Sequence, residues 1–447
     1  MQHSHEALDR PGGFSRVNLL APLRHRNVRL LWSGMTISLI GDGIFLVAMA
    51  WQAYEIWNAP IALALIGIAM TIPTIAFLLP AGILSDRLDR RRLMLCADTA
   101  RAFVIGALAV MSAGGHLSFW SLLIIVAVYG VASAFFTPAF EAIVPDIVED
   151  ADLPAMNSLD QLVRPIALRL LGPALGGALV AAVGTGGAFA VDALSFFASA
   201  AAIFFMRPPA HVRSEHAHSS IGALKEGFTF IRHRVWLWGT LISATVAYLA
   251  FMGPAEVLLP YVVKNELHAS ASDLGFVFAA GGMGAVCAAI FMGQRGHPRR
   301  DVTVMYVAWT LATLAVAGYG LATASWQLMV ACLLFNALET TGLIIWCTIK
   351  QRHVPSSMLG RISSLDWLIS IGLLPLSFAL TAPVVDLVGV RATLVGAAVI
   401  GGACTLGALF LPGMRDIEGH AADEPGRPTT RKEARERVRA PAFIEVP

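Results

Sequence analysis

The chain has 447 residues, of which 56% are hydrophobic and only 14% are charged, and its mean hydropathy is +0.68. Soluble domains carry about 25% charged residues, so this composition excludes an ordinary soluble protein and indicates a membrane protein. The formal net charge of +2 is too small to indicate a nucleic-acid partner.

Apolar runs long enough to cross the hydrocarbon core, about 20 residues each, occur twelve times. Backbone polar groups must be satisfied inside lipid, so each run is predicted to be an α-helix. We expect no cleavable signal peptide, because the first run begins near Val28 and is too long for one. The predicted helices lie near residues 28–54, 61–82, 93–114, 118–138, 163–184, 187–206, 235–257, 272–293, 301–322, 326–349, 362–385 and 390–411.

The longest connection between these runs divides them into two sets of six. It is polar, and its apolar residues recur at helical spacing beside basic ones, which predicts a short helix lying at the membrane interface. The last segment is charged and poor in apolar residues, which predicts disorder. The predicted divisions are an N-terminal segment 1–27, bundles 28–206 and 235–411, the linker 207–234 and the tail 412–447.

Lysine and arginine predict the orientation of the helices. If the N-terminus is inside, the outer loops and their edges hold Lys264 and Arg391 only, whereas the inner loops are rich in both residue types. Positive residues favour the cytoplasmic side. We therefore expect a multi-pass protein of the inner (cytoplasmic) membrane with both termini in the cytoplasm.

The connection between predicted helices two and three, residues 82–92, reads Gly-Ile-Leu-Ser-Asp-Arg-Leu-Asp-Arg-Arg-Arg. A basic hairpin on the cytoplasmic side is the simpler interpretation. The pattern nevertheless resembles G-x-L-x-D-R-x-G-R-R, the loop at this position in the major facilitator superfamily, with Asp89 where the family usually has glycine. That resemblance implies a two-bundle transporter whose gating motif comprises Gly82, Asp86, Arg87, Arg90 and Arg91.

Predicted helix five contains Gly172-Pro173-Ala-Leu-Gly176-Gly177, which resembles the G-P-x-x-G-G core of a motif found in superfamily exporters. Proline removes a hydrogen bond and glycine permits close helix contact, as a rocking helix requires. An ordinary packing seam is the alternative, since both residues are frequent in membrane helices. The fuller motif has a glycine where this chain has Leu168.

Further stretches resemble the branch of the superfamily that contains enterobactin exporters and macrolide-efflux proteins. The resemblance covers nearly all of residues 20–411 and implies export, but it says little about the substrate. Many drug–proton antiporters carry an arginine in helix four, where residues 118–138 have none, and Arg101 in helix three is a candidate substitute. The matching stretches are 134–138, 144–146, 153–157, 351–355 and 360–361.

Two acids lie about halfway along predicted helices, Asp42 in helix one and Glu339 in helix ten. A charge at the bilayer centre costs roughly 3 kcal/mol or more unless it meets a cavity or a partner. Removal from water favours the protonated carboxyl, which a reversible proton carrier needs. Both are therefore proton-coupling candidates, although Asp42 could instead make a local contact at a kink between Gly41 and Gly43.

Other residues are assigned to structure or to the cavity. Asp98 and Arg101 share a helix face and are expected to pair. Five further charges are predicted to have packing or gating roles: Arg164, Arg169, Asp192, Glu256 and Asp366. The two arginines lie near the inner end of helix five, where they can snorkel. Asp192 and Glu256 lie near the outer ends of their helices, within reach of water. Because ligand pockets are mostly apolar and aromatic, the cavity candidates are Phe45, Trp51, Phe135 and Trp346.

The sequence contains no nucleophile–base constellation, no phosphate-binding loop and no dinucleotide fingerprint. None of the five cysteines has metal-ligand spacing, and the linker histidines at 211, 216 and 218 suit a solvated loop better than a metal site. We therefore expect no enzyme activity, no cofactor and no metal. Without an ATPase, transport is expected to run on an ion gradient.

Together these features predict an all-α polytopic membrane protein with twelve helices in two six-helix bundles. The predicted function is export of amphipathic small molecules, drug-like or siderophore-like, by a monomer that exchanges them for protons. Two alternatives stay open, because one fold serves many functions: an importer of a nutrient or metabolite, and a non-transporting membrane sensor.

Overall fold

The computed structural model describes residues 21–148, 156, 159–160, 163–207, 220–295 and 298–418. Eleven helical stretches in these ranges are long and apolar enough to cross a membrane. One of them, Pro165–Phe205, has 41 residues and would measure about 60 Å, twice the roughly 30 Å hydrocarbon core. Gly184 interrupts it with a φ of 75°, a conformation that favours glycine. The stretch therefore holds two crossings, and the prediction of twelve helices is confirmed.

We number the crossing helices α1 to α12. The linker carries its own helix, Ser220–Arg232, as its apolar spacing predicted. The crossing helices are α1 Arg26–Ile56, α2 Pro60–Arg87, α3 Arg90–Ala113, α4 Phe119–Ile147, α5 Pro165–Leu171 (π-helical) with 172–183, α6 185–205, α7 Val235–Tyr261 with the π-helical Val262–Glu266, α8 Ala271–Arg295, α9 Asp301–Ala315 with Ala317–Leu321, α10 Ser325–His353, α11 Ser356–Ile371 with Leu374–Val388, and α12 Val390–Ala408.

Helix ends depart from the predicted runs where polar groups extend or cap a helix. The predicted loop at 82–87 is the last part of α2, which ends at Arg87. Helix α4 continues to Ile147, beyond the predicted end at residue 138, and there Arg90 donates to Asp146 at 2.7 Å. An apolar run marks where lipid ends, whereas a helix continues as long as its own hydrogen bonds and its neighbours support it.

Helices α1–α6 form an N-terminal bundle and α7–α12 a C-terminal bundle. We call the membrane face that carries the linker the linker face, and the opposite one the far face. Across the two bundles, α5 packs on α8 and α2 packs on α11. These are equivalent positions in the two halves, as expected for a transporter built from repeats.

The main contacts between the bundles lie in the far-face half and in the middle. Near the far face the Tyr54 hydroxyl donates to the Val257 carbonyl at 2.5 Å, and the Asn58 amide donates to Asn265 at 2.7 Å. The linker-face segment of α11 packs mainly against α7 and the linker helix, which belong to its own side. Within the described part of the chain, the molecule is therefore closed on the far face.

The segment after α12 departs from the expected disorder. Residues 412–418 fold back onto the C-terminal bundle, where Met414 is fully buried beside Tyr306. Thr303, in the first turn of α9, donates its hydroxyl to Glu418 at 3.0 Å. The rest of the predicted tail and the three linker histidines lie outside the described residues.

Candidate functional site

Asp42 lies in the middle of α1 and makes its described hydrogen bond inside the N-terminal bundle. The hydroxyl of Tyr129, on α4, donates to Asp42 Oδ1 at 2.7 Å. The Tyr129 ring stacks on Phe45 with the ring centroids 5.0 Å apart. The acid is half-buried, so it is neither fully solvated nor sealed in the core.

The two glycines beside Asp42 serve helix contact. A Cβ at Gly43 would lie 2.7 Å from the Cα of Gly172 on α5, and one at Gly41 would overlap Ser195 on α6. Helix α1 runs unbroken through this region. These glycines bring α1 close to α5 and α6, and the Tyr129 bond is a local polar contact of the kind that the alternative interpretation of Asp42 expected.

Arg101 supplies the positive charge of the N-terminal bundle. Its guanidinium donates to Asp98, one turn earlier on α3, and both side chains are buried. Ser199 on α6 donates to the other oxygen of Asp98 at 2.6 Å. The guanidinium lies between the rings of Phe136 and Phe196, 4.4 Å from each centroid. Arg101 is also within electrostatic range of Asp42.

Asp192 is the acid that sequence reasoning placed wrongly. It was expected near water, but it is fully buried, because its face of α6 packs on α1 at Gly41, where a Cβ would lie 2.5 Å from Asp192 Oδ1. Its Oδ2 has no hydrogen-bond partner among the described residues, while Ser195 donates to Oδ1 at 3.4 Å. The spacing of Asp192, Ser195 and Ser199 along one face of α6 was a usable signal, since a polar stripe in an apolar helix indicates a buried network.

The C-terminal bundle repeats the tyrosine–carboxylate pair. Tyr248 on α7 donates to Glu339 on α10 at 3.1 Å. Helices α7 and α10 are the repeat counterparts of α1 and α4, which carry Asp42 and Tyr129, although the acid and the tyrosine have exchanged helices. Each half thus places one acid–tyrosine pair between equivalent helices, about midway through the membrane.

Arg169 crosses between the bundles, where the sequence predicted a snorkelling residue. Its guanidinium donates to Asn336 Oδ1 on α10 at 3.2 Å. It lies within electrostatic range of Glu339 and of Glu256. Glu256 is exposed but is not at the end of its helix as predicted, because α7 continues to Glu266.

Asp366 organises the linker-face half of the C-terminal bundle. Lys350 donates to its carboxylate, the indole of Trp346 donates to the same oxygen at 2.9 Å, and Ser370 donates at 3.3 Å. Lys350 and Trp346 are themselves buried. This cluster joins α10 to α11. Asp366 therefore has a packing role, which is one of the two roles predicted for it.

The four aromatic cavity candidates do not form one surface. Phe45 and Trp346 are buried inside their own bundles, so neither lines a space between the bundles in this conformation. Trp51 is half-buried where the bundles meet, with the ammonium of Lys264 4.8 Å from its ring. Phe135 is half-buried, with its ring 6.1 Å from that of Phe77. Residue type alone did not reveal which face of each helix these rings occupy.

The gating motif is described only in part. The side chains of Gly82, Asp86 and Arg87 lie outside the described residues. Arg90 donates to Asp146 on α4, and Arg91 donates through Nε to the carbonyl of Ile203 on α6 at 3.0 Å. Asp89, the departure from the family pattern, accepts a hydrogen bond from the Arg92 amide at 3.1 Å and caps α3. An N-cap aspartate is a favoured start of a helix.

The helix-five motif packs α5 against two different neighbours. A Cβ at Gly176 would lie 2.9 Å from the Cα of Ile44, on α1 of the same bundle. One at Gly177 would lie 2.7 Å from the Ala271 carbonyl and 3.0 Å from the Cα of Gly275, both on α8 of the other bundle. The motif therefore holds α5 to its own bundle and to the opposite one at the same level.

Sequence relatives of the chain are membrane exporters and a transporter of unstated substrate. It is 22% identical to macrolide efflux protein A of Streptococcus pyogenes over 371 residues, 81% of this chain and 90% of that protein. It is 26% identical to the enterobactin exporter EntS of Escherichia coli O1:K1 over 356 residues, 78% and 83% of the two chains. It is also 24% identical over 276 residues to the uncharacterized transporter YfiS of Bacillus subtilis (strain 168). That match covers 60% of this chain and 64% of YfiS, so the chain spans less than two thirds of the length of that relative.

Solved structures with the same fold are also transporters. The nucleoside transporter NupG superposes with a TM-score of 0.65 at 12% identity, covering 88% of this chain and 99% of that one. A bacterial homologue of the iron transporter ferroportin, in an inward-facing state, superposes with a TM-score of 0.63 at 17% identity, covering 86% and 98%. At these identities the likeness shows the fold and nothing finer.

Family membership follows from a match along most of the chain. The model of the family described as "Transmembrane secretion effector" matches residues 17–432. The relative YfiS is named as a major-facilitator-type transporter. The chain therefore belongs to the transmembrane secretion effector family of the major facilitator superfamily, and it is a multi-pass membrane transporter.

Proposed function

We propose that the protein exports amphipathic small molecules in exchange for protons, as a monomer in the inner membrane, by alternating access between its two bundles. Both termini and the linker face are cytoplasmic in this proposal, which the excess of lysine and arginine on that face supports. The names of two relatives, a macrolide efflux protein and an enterobactin exporter, support export of amphipathic substrates.

The observation that carries the proposal is the acid cluster at mid-membrane in the N-terminal bundle. Asp42, Asp98 and Asp192 all lie within electrostatic range of Arg101. The other cation in range of Asp42, Arg164, is already paired with Asp160. A bilayer interior tolerates ionisable groups only where they have partners or a function. Because one positive charge cannot neutralise three carboxylates, at least one of the acids has reason to hold a proton.

Asp42 is the member of this cluster that is suited to exchange a proton. It is half-buried, whereas Asp98 and Asp192 are fully buried. Tyr129 holds its carboxylate in place. A proton on Asp42 can therefore reach water when the space between the bundles opens, while those on the sealed acids cannot.

The test is uptake into inverted vesicles whose lumen is acidic, followed by collapse of the pH gradient with an ionophore. The parent should accumulate a lipophilic drug or siderophore and lose it on collapse. Asp42→Asn should still bind the substrate but should not accumulate it. Asp386→Asn, an exposed acid at the far-face end of α11, is the matched control and should behave like the parent.

Each result has a distinct meaning. Accumulation that survives the ionophore would refute proton exchange. Accumulation only in right-side-out vesicles would show import. If Asp42→Asn accumulates substrate as well as the parent does, the proton site lies elsewhere.

A further inference from the structure

The contacts of Asp42 leave open how a proton moves the bundles. Its hydrogen-bond partner is Tyr129, and the charged groups within electrostatic range are Arg101, Arg164, Asp98 and Asp192; all belong to the N-terminal bundle. A bundle that moves as a unit carries these contacts with it. A ligand shifts a conformational equilibrium only if it interacts differently with the two states. Protonation of Asp42 by itself therefore leaves the contacts between the bundles unchanged.

Arg169 is different, because both its side chain and its backbone meet the opposite bundle. The guanidinium bonds Asn336 on α10. The carbonyl of Arg169 lies against Gly282 on α8, where a Cβ would overlap it. Pro173, four residues later, cannot donate the hydrogen bond that an α-helix would give this carbonyl. The π-helical turn Pro165–Leu171 places Arg169 at this contact.

Two acids of the C-terminal bundle lie within electrostatic range of this guanidinium. Glu339 is half-buried and is held by Tyr248. Glu256 is exposed although Ala255, Val257 and Leu258 beside it are buried. Arg169, of the other bundle, is the charged group within electrostatic range of Glu256.

The remaining charged groups are farther from Glu339 or already paired. On its own helix α10, Lys350 is bound to Asp366 of α11. Helices α8 and α9, which pack along α10, carry their described acids only at their ends, Asp273 and Asp301. On α7 and its extension, the charged residues beyond Glu256 are Lys264 and Glu266, near the far face.

We propose that Arg169, Glu256 and Glu339 form a second proton-linked site, which lies between the bundles and holds the far face closed while its acids are ionised. The proposal rests on the proposed proton-driven export and names the contact that converts protonation into bundle movement. A nearby positive charge favours the ionised carboxylate, so these acids hold their protons less tightly while Arg169 is in range than after it has moved away. When the bundles part, Arg169 leaves and the acids take protons up.

The sign of the effect follows from linkage. Protons bind more tightly when the far face is open, so acid should increase the ratio of far-face-open to far-face-closed molecules. We expect a change of about tenfold between neutral and acidic pH, the size of an ordinary coupling between two sites. The ratio is read from the distance between spin labels at His116 and Thr323, exposed far-face positions on the two bundles, with the five cysteines replaced.

Four variants test the site in lipid nanodiscs. Arg169→Gln should lose the acid-induced opening. Glu339→Gln should show the acid-like distribution at neutral pH. Arg169→Lys keeps the charge and should keep the pH response, which also covers the case in which Arg169→Gln does not fold. Arg391→Gln is the matched control, because Arg391 pairs with Glu266 inside one bundle at 2.6 Å, and it should respond like the parent.

A pH response in a folded Arg169→Gln protein equal to that of the parent would overturn the second site. That result leaves proton-driven export intact if the parent still accumulates substrate in acidic vesicles. An unresponsive parent that also accumulates substrate without a pH gradient would instead refute the proposed function.

Discussion

The adjacent glycines 176 and 177 allow a test of bundle movement in which one residue is the control for the other. The three atoms nearest to a Cβ at Gly177 all belong to α8, of the other bundle: the Ala271 carbonyl at 2.7 Å and the Cα atoms of Gly275 and Ser272 at 3.0 Å. These are backbone atoms, which cannot rotate away. A Cβ at Gly176 meets α1 of its own bundle, 2.9 Å from the Cα of Ile44.

The expected magnitude comes from overpacking, which costs about 1–3 kcal/mol for an added methyl group in a tight contact. In Gly177→Ala the cost falls on the far-face-closed state alone, because the α5–α8 contact separates when the far face opens. Since 1.4 kcal/mol is a factor of ten, the open-to-closed ratio should rise roughly 5- to 150-fold. In Gly176→Ala both states carry the cost, so thermal stability should fall while the ratio stays near that of the parent.

The ratio is measured with the same far-face label pair at His116 and Thr323, and stability is measured by thermal unfolding in detergent. Unchanged distances in Gly177→Ala would refute the reasoning, because they would mean that the α5–α8 contact persists in both states. An equal shift of the ratio in Gly176→Ala would refute it as well, since the atoms nearest to a Cβ at that residue belong to α1 of its own bundle. Leucine at Gly177 should impair transport more than expression.

Two further predictions concern the charged clusters near the linker face. Asp366→Leu leaves Lys350 buried without its partner, which costs about 3–5 kcal/mol, so the thermal midpoint should fall. The double variant Lys350→Met with Asp366→Leu should recover most of the lost stability. An unchanged midpoint in the single variant would contradict the packing role. Asp86→Asn should impair transport but leave insertion intact, because we expect Asp86 to face the positive N-terminal end of α11, which begins at Ser356, when the linker face closes. Full transport in that variant would show that the acid does not hold the gate.

Much of the architecture could be predicted from the sequence because it depends on local properties. Crossing helices follow from apolar runs, and two bundles follow from one long polar linker between two sets of six. Asp42 and Glu339 stood out because an acid amid apolar residues is costly wherever the helix packs. Asp98 and Arg101 stood out because a spacing of three places them on one helix face.

The tertiary structure decided which helix each face meets, and this determined the roles of the remaining residues. Arg169 has the sequence environment of a snorkelling arginine, yet α5 crosses α8 at this level and directs it to Asn336. Asp192 is buried because its face of α6 packs on α1 at Gly41. Gly176 and Gly177 are neighbours in sequence but face different bundles. Hydropathy and spacing describe the surface of a single helix, and contacts between residues far apart in the sequence decide which part of that surface is core, interface or site.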